Sequence, residues 1–317
     1  MGLRSDDNRM VVHLTYRRYS SWFDHLGKYM DCIHLDPSQI LEIKTIKPKV
    51  LFIQNAISYD EAFLYKVRGL VPGIKIIGHH NSVYKKEHLK VFKKYDVMFV
   101  GLKWMRKEFA RYGINAKLIR NAFEPVLLRD GPLISLLLCP GSIILKPNFH
   151  HERLKYITDM LNANVPMWLN AKLETNTPAE MLKRALFGEP VYRKYPSIVK
   201  KNNTTPAKGE NYYRMIKSCP VVFNAHGDYA GEASNMRMFE VCGIGSLLLT
   251  DHKDNIGDFF EPGKEVLTYK SSEELIDKAR WALNNPHQAR VIAKAGHERI
   301  FKEHLVKHRV KHFINEL

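Results

Sequence analysis

The sequence predicts an α/β chain of two Rossmann-like domains, each a parallel sheet wrapped by helices. Three observations carry this. The chain has 317 residues at 36.8 kDa, enough for two ordinary domains. Short runs that are apolar throughout alternate with amphipathic stretches, as in βαβ units whose strands are buried on both faces. The rhythm breaks once, at 124–132, where Pro125, Gly131 and Pro132 mark a connection, and then resumes.

In the first series, strands are expected at 10–15, 30–35, 50–54, 75–78, 97–100 and 117–120. Helices are expected at 21–29, 37–46, 59–70, 85–95 and 104–112. In the second, strands fall at 133–139, 167–171, 221–225, 246–249 and 265–268, with helices at 151–161, 178–186, 234–242, 272–283 and 286–301 and a long loop at 200–208. A basic helical tail, 302–317, ends the chain. The expected domains are thus an amino-terminal domain at 1–130, a ligand-binding domain at 131–300, and a final helix, 301–317, able to cross back to the first. Right-handed crossovers make both sheets doubly wound, and such sheets bind ligands beyond the carboxyl ends of their strands.

Composition excludes several classes. With 45% hydrophobic and 26% charged residues, the chain is neither disordered nor fibrous. No apolar run approaches the roughly 18–20 residues that span a bilayer. Residues 1–12 carry Arg4, Asp6, Asp7 and Arg9 without an apolar core, so no secretory signal is expected there and the location is read as cytoplasmic. Cys32, Cys139, Cys219 and Cys242 form no CxxC pair and read as reduced core thiols. The net charge of +16 points to an anionic partner, whether nucleic acid, phosphorylated small molecule or membrane. Residues 1–130 hold 23 basic against 13 acidic residues.

The most informative segment is 227–251, GDYAGEASNMRMFEVCGIGSLLLTD. A strand leads into a loop, a helix opens near Ser234, and Gly243 and Gly245 precede the next strand. Glu232 stands at the helix entrance and Glu240 two turns further on. The amides of Asn235, Met236 and Arg237 open the helix, where unpaired N–H groups and the helix dipole suit a diphosphate. A carboxylate further along can accept both hydroxyls of a ribose.

These residues resemble the E-x7-E signature of retaining GT-B glycosyltransferases, in the group 1 family and particularly its CgeB-like branch. The downstream run, with Leu249, Thr250 and Asp251, the FFEPGKE of 259–265, SEEL at 272–275 and AGHER at 295–299, also resembles that family. The resemblance implies two Rossmann-like domains facing each other across a cleft. It implies a retaining, metal-independent transferase that moves a sugar from a nucleotide-diphosphate sugar to a glycan or lipid-linked acceptor, in surface polysaccharide or glycoconjugate synthesis. Glu240 would hold the ribose, Glu232 would face the donor sugar, and the amides of 235–237 would cradle the diphosphate. No cofactor is expected, since the nucleotide sugar is itself the donor substrate. Ala233, Ser234 and Asn235 replace the glycine-rich stretch common after the first glutamate, which changes how donor hydroxyls can be read there.

In the first half, IIGHHNS at 76–82 ends a strand with His79 and His80. His80 resembles the family's strand-end histidine near the donor sugar; it also fits a capping histidine. Arg17 and Arg18, after the first strand, suit either an anionic acceptor or solvent. The second domain opens with CPGSIILKPNFHHER at 139–153. Gly141 and Ser142 would let a phosphate approach the backbone. Lys146 is the candidate cation for the leaving diphosphate, with Lys172 as its alternate. No DxD or HExxH occurs, and His304, His308 and His312 read as a solvated helix face, so no metal site is expected.

The stretch 85–111 carries nine Lys or Arg, with Leu89, Phe92, Trp104 and Phe109 between them. It suits either solvated outer helices or an anionic membrane surface on the inner face, where aromatics would insert. Nucleic-acid binding is disfavoured by the lack of any helix-turn-helix, RNP or zinc signature. A nucleotide-sugar epimerase of the same fold stays open as an alternative to transfer.

Overall fold

The computed structural model describes residues 11–14, 25–82, 84–128, 131–145, 149–174, 182, 186, 195–228 and 231–316. Arg17, Arg18 and Lys146 lie outside the described residues, as does the helix expected at 178–186 apart from Leu182 and Leu186. The chain forms two compact units: Met1–Glu124 with Leu305–Leu317, and Pro125–His304.

Unit 1 is a six-stranded parallel sheet of β1 (Val11–Leu14), β2 (Cys32–Leu35), β3 (Val50–Ile53), β4 (Lys75–His80), β5 (Val97–Val100) and β6 (Ala116–Leu118), ordered β2-β1-β3-β4-β5-β6. Its helices are α1 (Ile43–Ile46), α2 (Glu61–Leu70), α3 (His88–Phe92) and α4 (Lys103–Arg111). Every residue of β1, β3 and β5 is buried, because alternate side chains enter two separate cores. Val12, Leu14, Leu51, Ile53, Met98 and Val100 meet Leu64, Val67, Phe92, Met105 and Phe109 on one face. Val11, Phe52, Ile77, Val97 and Phe99 meet Val306, Val310 and Phe313 of the carboxy-terminal helix Val306–Asn315 on the other. Arg309 ties this helix down by donating through Nε to the Arg120 and Asn121 carbonyls.

Unit 2 is a five-stranded parallel sheet of β7 (Leu137–Ile143), β8 (Met167–Leu173), β9 (Val221–Asn224), β10 (Leu247–Asp251) and β11 (Leu267–Tyr269), ordered β11-β10-β9-β7-β8. Its helices are α5 (His151–Asn162), α6 (Ser197–Asn202), α7 (Glu210–Ser218), α8 (Met236–Ile244), α9 (Ser272–Asn284) and α10 (Pro286–Glu303). β7 and β9 are neighbours, and the chain leaves them in opposite directions across the sheet. That is the switch point where a doubly wound sheet opens a crevice.

Four expectations change. The strand expected at 133–139 lies four residues later: Leu133 is 63% exposed, and β7 runs through Pro140 and Gly141. The ladder to β9 stops at Leu138, just before the residue with no N–H to give. The loop at 200–208 begins as the end of α6. The terminal histidines are not one solvated face. His304 is buried at the end of α10, its Nε2 bonded to the Phe259 carbonyl and its ring beside Phe239, Phe259 and Phe260, while His312 stays outside near Glu316. In the basic stretch of unit 1, Leu89, Phe92 and Phe109 are buried, leaving Lys85, Lys86, Lys90, Lys93, Arg106, Lys107 and Arg111 exposed. Core demand for aromatics in so small a sheet overrides insertion elsewhere, and the outer surface there is cationic rather than amphipathic.

Candidate functional site

The site grows from the carboxyl ends of β7 and β9. Arg153, 6% exposed on α5, donates to the Ser142 carbonyl at 2.6 Å and through Nε to the Ala225 carbonyl at 3.2 Å, with Nη2 on the same oxygen. It thereby pins the two strand ends together. The first turn of α5 is closed to any anion by Asp228, whose Oδ2 accepts from the His151 amide at 2.7 Å and whose Oδ1 accepts from Glu152 at 3.3 Å.

The first turn of α8 is built differently. Asn235 is its N-cap, accepting from the Met238 amide at 3.3 Å and donating through Nδ2 to Asn224 Oδ1 at 2.9 Å. Asn224 in turn donates to Thr250 Oγ1 at 2.9 Å. Before the cap, Asn255 holds Ala233 at both its amide (2.7 Å) and its carbonyl (3.0 Å), and the Ser234 amide donates to His226 Nε2 at 3.3 Å. His226 therefore carries its proton on Nδ1, which donates to Asp251 Oδ1 at 2.7 Å. Burial opposes the charge of Asp251, but His226 beside it and then Lys253 hold the carboxyl down to about 2. With this scaffold fixed, the amides of Met236 and Arg237 have no carbonyl four residues back within the helix.

Arg237 lies directly over Gly141. A Cβ on Gly141 would collide with the guanidinium, and the backbone there has φ +106°. The glycine gives room to an arginine side chain rather than to a phosphate against the backbone. Arg237 Nε is buried with no hydrogen-bond partner, Nη1 lies 3.4 Å from Asn224 Oδ1, and the guanidinium also interacts with Tyr212 and Glu240. None of the ion pairs among the described residues involves it. A half-buried guanidinium in no salt bridge, beside a helix N-terminus, suits an anion in both charge and geometry.

Glu240 lies on the same helix, mostly buried. Burial raises its carboxyl above the ordinary range, while Tyr212, Arg237 and Tyr213 oppose that rise. Tyr212 donates to Oε2 at 3.0 Å and Tyr213 to Oε1 at 3.3 Å.

The structure therefore brings Gly141, Asn235, Arg237 and Glu240 into one neighbourhood, with the exposed Met236 contributing its backbone. Ser142 gives its carbonyl to Arg153. Lys172 is exposed on β8, in register with Ser142. Glu232 is half-buried in the loop before α8. His80 belongs to unit 1, buried at the end of β4 with its ring 5.4 Å from Phe92. No functional role was read from the sequence for Tyr212, Tyr213 or Asp228. The adjacent tyrosines were a visible signal, but nothing local ties them to a glutamate 27 residues on. Beside the His226–Asp251 pair lies a cavity of about 440 Å³, also lined by Tyr156, Lys253 and Lys270. Among the described residues, no group of three or more His, Cys, Asp or Glu is placed to hold a metal ion, and no helix is long and apolar enough to cross a membrane.

The architecture is α/β with two parallel, Rossmann-like sheets, and it matches solved GT-B glycosyltransferase structures. Within it, residues 168–315 match the model of a family described as glycosyl transferase-like. Alr3699/HepE from Anabaena, solved in complex with UDP, superposes with a TM-score of 0.61 at 11% identity, over 97% of this chain and 99% of that one. A glycosyltransferase from Rickettsia africae ESF-5 gives 0.64 at 9% identity, over 98% and 97%. Sucrose-phosphate synthase from Thermosynechococcus elongatus gives 0.58 at 10% identity, over 97% and 98%. No curated protein matches the sequence.

Proposed function

We propose that the protein is a nucleotide-sugar-dependent glycosyltransferase that seats the donor's diphosphate on the first turn of α8, against Arg237. One observation carries this reading: a half-buried guanidinium in no salt bridge, with an unbonded Nε, held over Gly141 at the switch point of the sheet. The HepE structures with UDP and with UDP-glucose support a UDP-sugar as the first donor to try. Glu240 would take the ribose hydroxyls, since a carboxylate accepts about four hydrogen bonds and the tyrosines use two. Glu232, at the loop, would face the donor sugar.

In the reaction an acceptor hydroxyl bonds to the anomeric carbon while the bond to the diphosphate breaks, and the hydroxyl proton passes to the leaving diphosphate or to solvent. The charge gathering on the leaving diphosphate is met by Arg237 and the α8 amides, with Lys146 or Lys172 as further cations. Such fixed donors contribute on the order of 3–4 kcal/mol. His80 would hydrogen-bond a sugar hydroxyl. The reading is metal-independent and retaining, with a glycan or lipid-linked acceptor and a place in surface polysaccharide or glycoconjugate synthesis. The exposed cations of α3 and α4 support transient adsorption to an anionic membrane without insertion.

A thermal-shift screen of UDP-, GDP-, ADP-, TDP- and CMP-linked sugars, followed by calorimetry and turnover, tests it. One nucleotide class should bind, and Arg237→Ala should weaken it roughly tenfold to a hundredfold, the worth of a charge-assisted hydrogen-bond pair. EDTA should leave turnover intact; a loss restored by magnesium removes the metal-independent part. Unchanged affinity in the arginine variant removes the diphosphate assignment.

A further inference from the structure

We propose that Tyr212 and Tyr213 are positioning residues that set the Glu240 carboxylate to receive a vicinal diol, making the site selective for ribonucleotides over 2′-deoxyribonucleotides. The inference rests on the nucleotide reading above and deepens it.

The two tyrosines are consecutive on the first turn of α7, with ring centroids 5.4 Å apart and planes at 66°. Their hydroxyls divide the carboxylate between them, one on each oxygen. A carboxylate gripped at both oxygens cannot rotate, and each oxygen keeps one lone pair for a further donor. Two acceptors in one fixed plane match two hydroxyls on adjacent carbons, whereas a single hydroxyl would leave one buried acceptor unanswered. Tyr212 also interacts with Arg237, so the residue proposed for the phosphates and the residue proposed for the ribose share a support.

The tyrosines also matter to the charge. Glu240 is buried enough to favour its neutral form, and Arg237, Tyr212 and Tyr213 are the groups against it that favour the ionised one. A protonated carboxyl would present a donor where an acceptor is needed. Without the two hydroxyls, Glu240 takes up a proton at higher pH.

Calorimetry with UDP, GDP and ADP, their 2′-deoxy forms and inorganic pyrophosphate decides the matter. The native protein should bind its preferred ribonucleotide at least about tenfold tighter than the deoxy form, the value of one hydrogen bond at a buried charge. In Tyr212→Phe/Tyr213→Phe that preference should vanish through a loss of ribonucleotide affinity larger than any loss of deoxynucleotide or pyrophosphate binding. The single variants, each a hydroxyl deletion, should lose part of the preference and show their acid-side fall in ribonucleotide affinity at higher pH. A double variant that keeps the native ratio, or binds the ribonucleotide more tightly because the tyrosines merely filled the diol's place, overturns the inference. Native protein that binds both nucleotide forms equally overturns the ribose assignment while leaving the diphosphate reading in place. No binding of any nucleotide overturns both.

Discussion

Gly141 shows how one missing side chain organises the site. Its φ of +106° is open to glycine at no steric cost, and the space its Cβ would fill belongs to the Arg237 guanidinium. Gly141→Ala should therefore strain the backbone and displace the arginine together. We expect a stability loss of about 1–3 kcal/mol and a fall in nucleotide affinity comparable to that of Arg237→Ala, checked by urea unfolding alongside calorimetry. A variant that binds normally would mean the arginine does not act from this position. The glycine was legible in the sequence, but its purpose was not. A strand-end glycine suggests a phosphate near the backbone, and only the fold brings residue 237 to residue 141.

At the scale of elements, the two helix starts beside the switch point have opposite fates. α5 begins with Asp228 across its first amides, so its dipole is already answered within the chain. α8 begins with a neutral asparagine cap and a cation, Arg237, in its first turn, which leaves its end electropositive. Asp228→Ala should cost about 1 kcal/mol of stability through the lost cap while leaving nucleotide affinity unchanged, measured by thermal unfolding and calorimetry. A large loss of affinity would move the phosphates to α5. The α8 start was readable because cap, amides and glutamates are neighbours in sequence. The closure of α5 was not, because residue 228 reaches back across more than seventy residues.

Across the whole molecule, the carboxy-terminal helix returns to complete the core of unit 1. Phe313 is fully buried, with ring centroids 4.8 Å from Phe52 and 5.2 Å from Phe99. Phe313→Ala should cost about 3–5 kcal/mol, read by denaturant unfolding, although it lies more than two hundred residues beyond the strands it supports. Acid stability should reflect His13 in the same core, stacked on Phe52 and held neutral by burial, which lowers its pKa from 6.5 to about 3. The unfolded chain takes up this proton first. Its contribution is therefore complete above pH 6.5 and declines as pH falls toward 3, by about 2 kcal/mol at pH 5. His13→Leu should flatten that slope in unfolding measured between pH 7 and 5; an unchanged slope would place the acid sensitivity elsewhere.

The sequence by itself determined the α/β rhythm and the helix that carries Glu240, because strand burial on both faces and a helix cap are written in residues a few positions apart. It also announced a cationic protein. It misplaced β7 and the terminal histidines, since a ladder's end and a buried imidazole depend on partners brought in from elsewhere in the chain. Only the tertiary structure decided that Arg237 stands over Gly141, that Asp228 closes the neighbouring helix, and that two tyrosines grip Glu240. Each is a contact between distant segments, and its energy exists only once the sheet has set their distance.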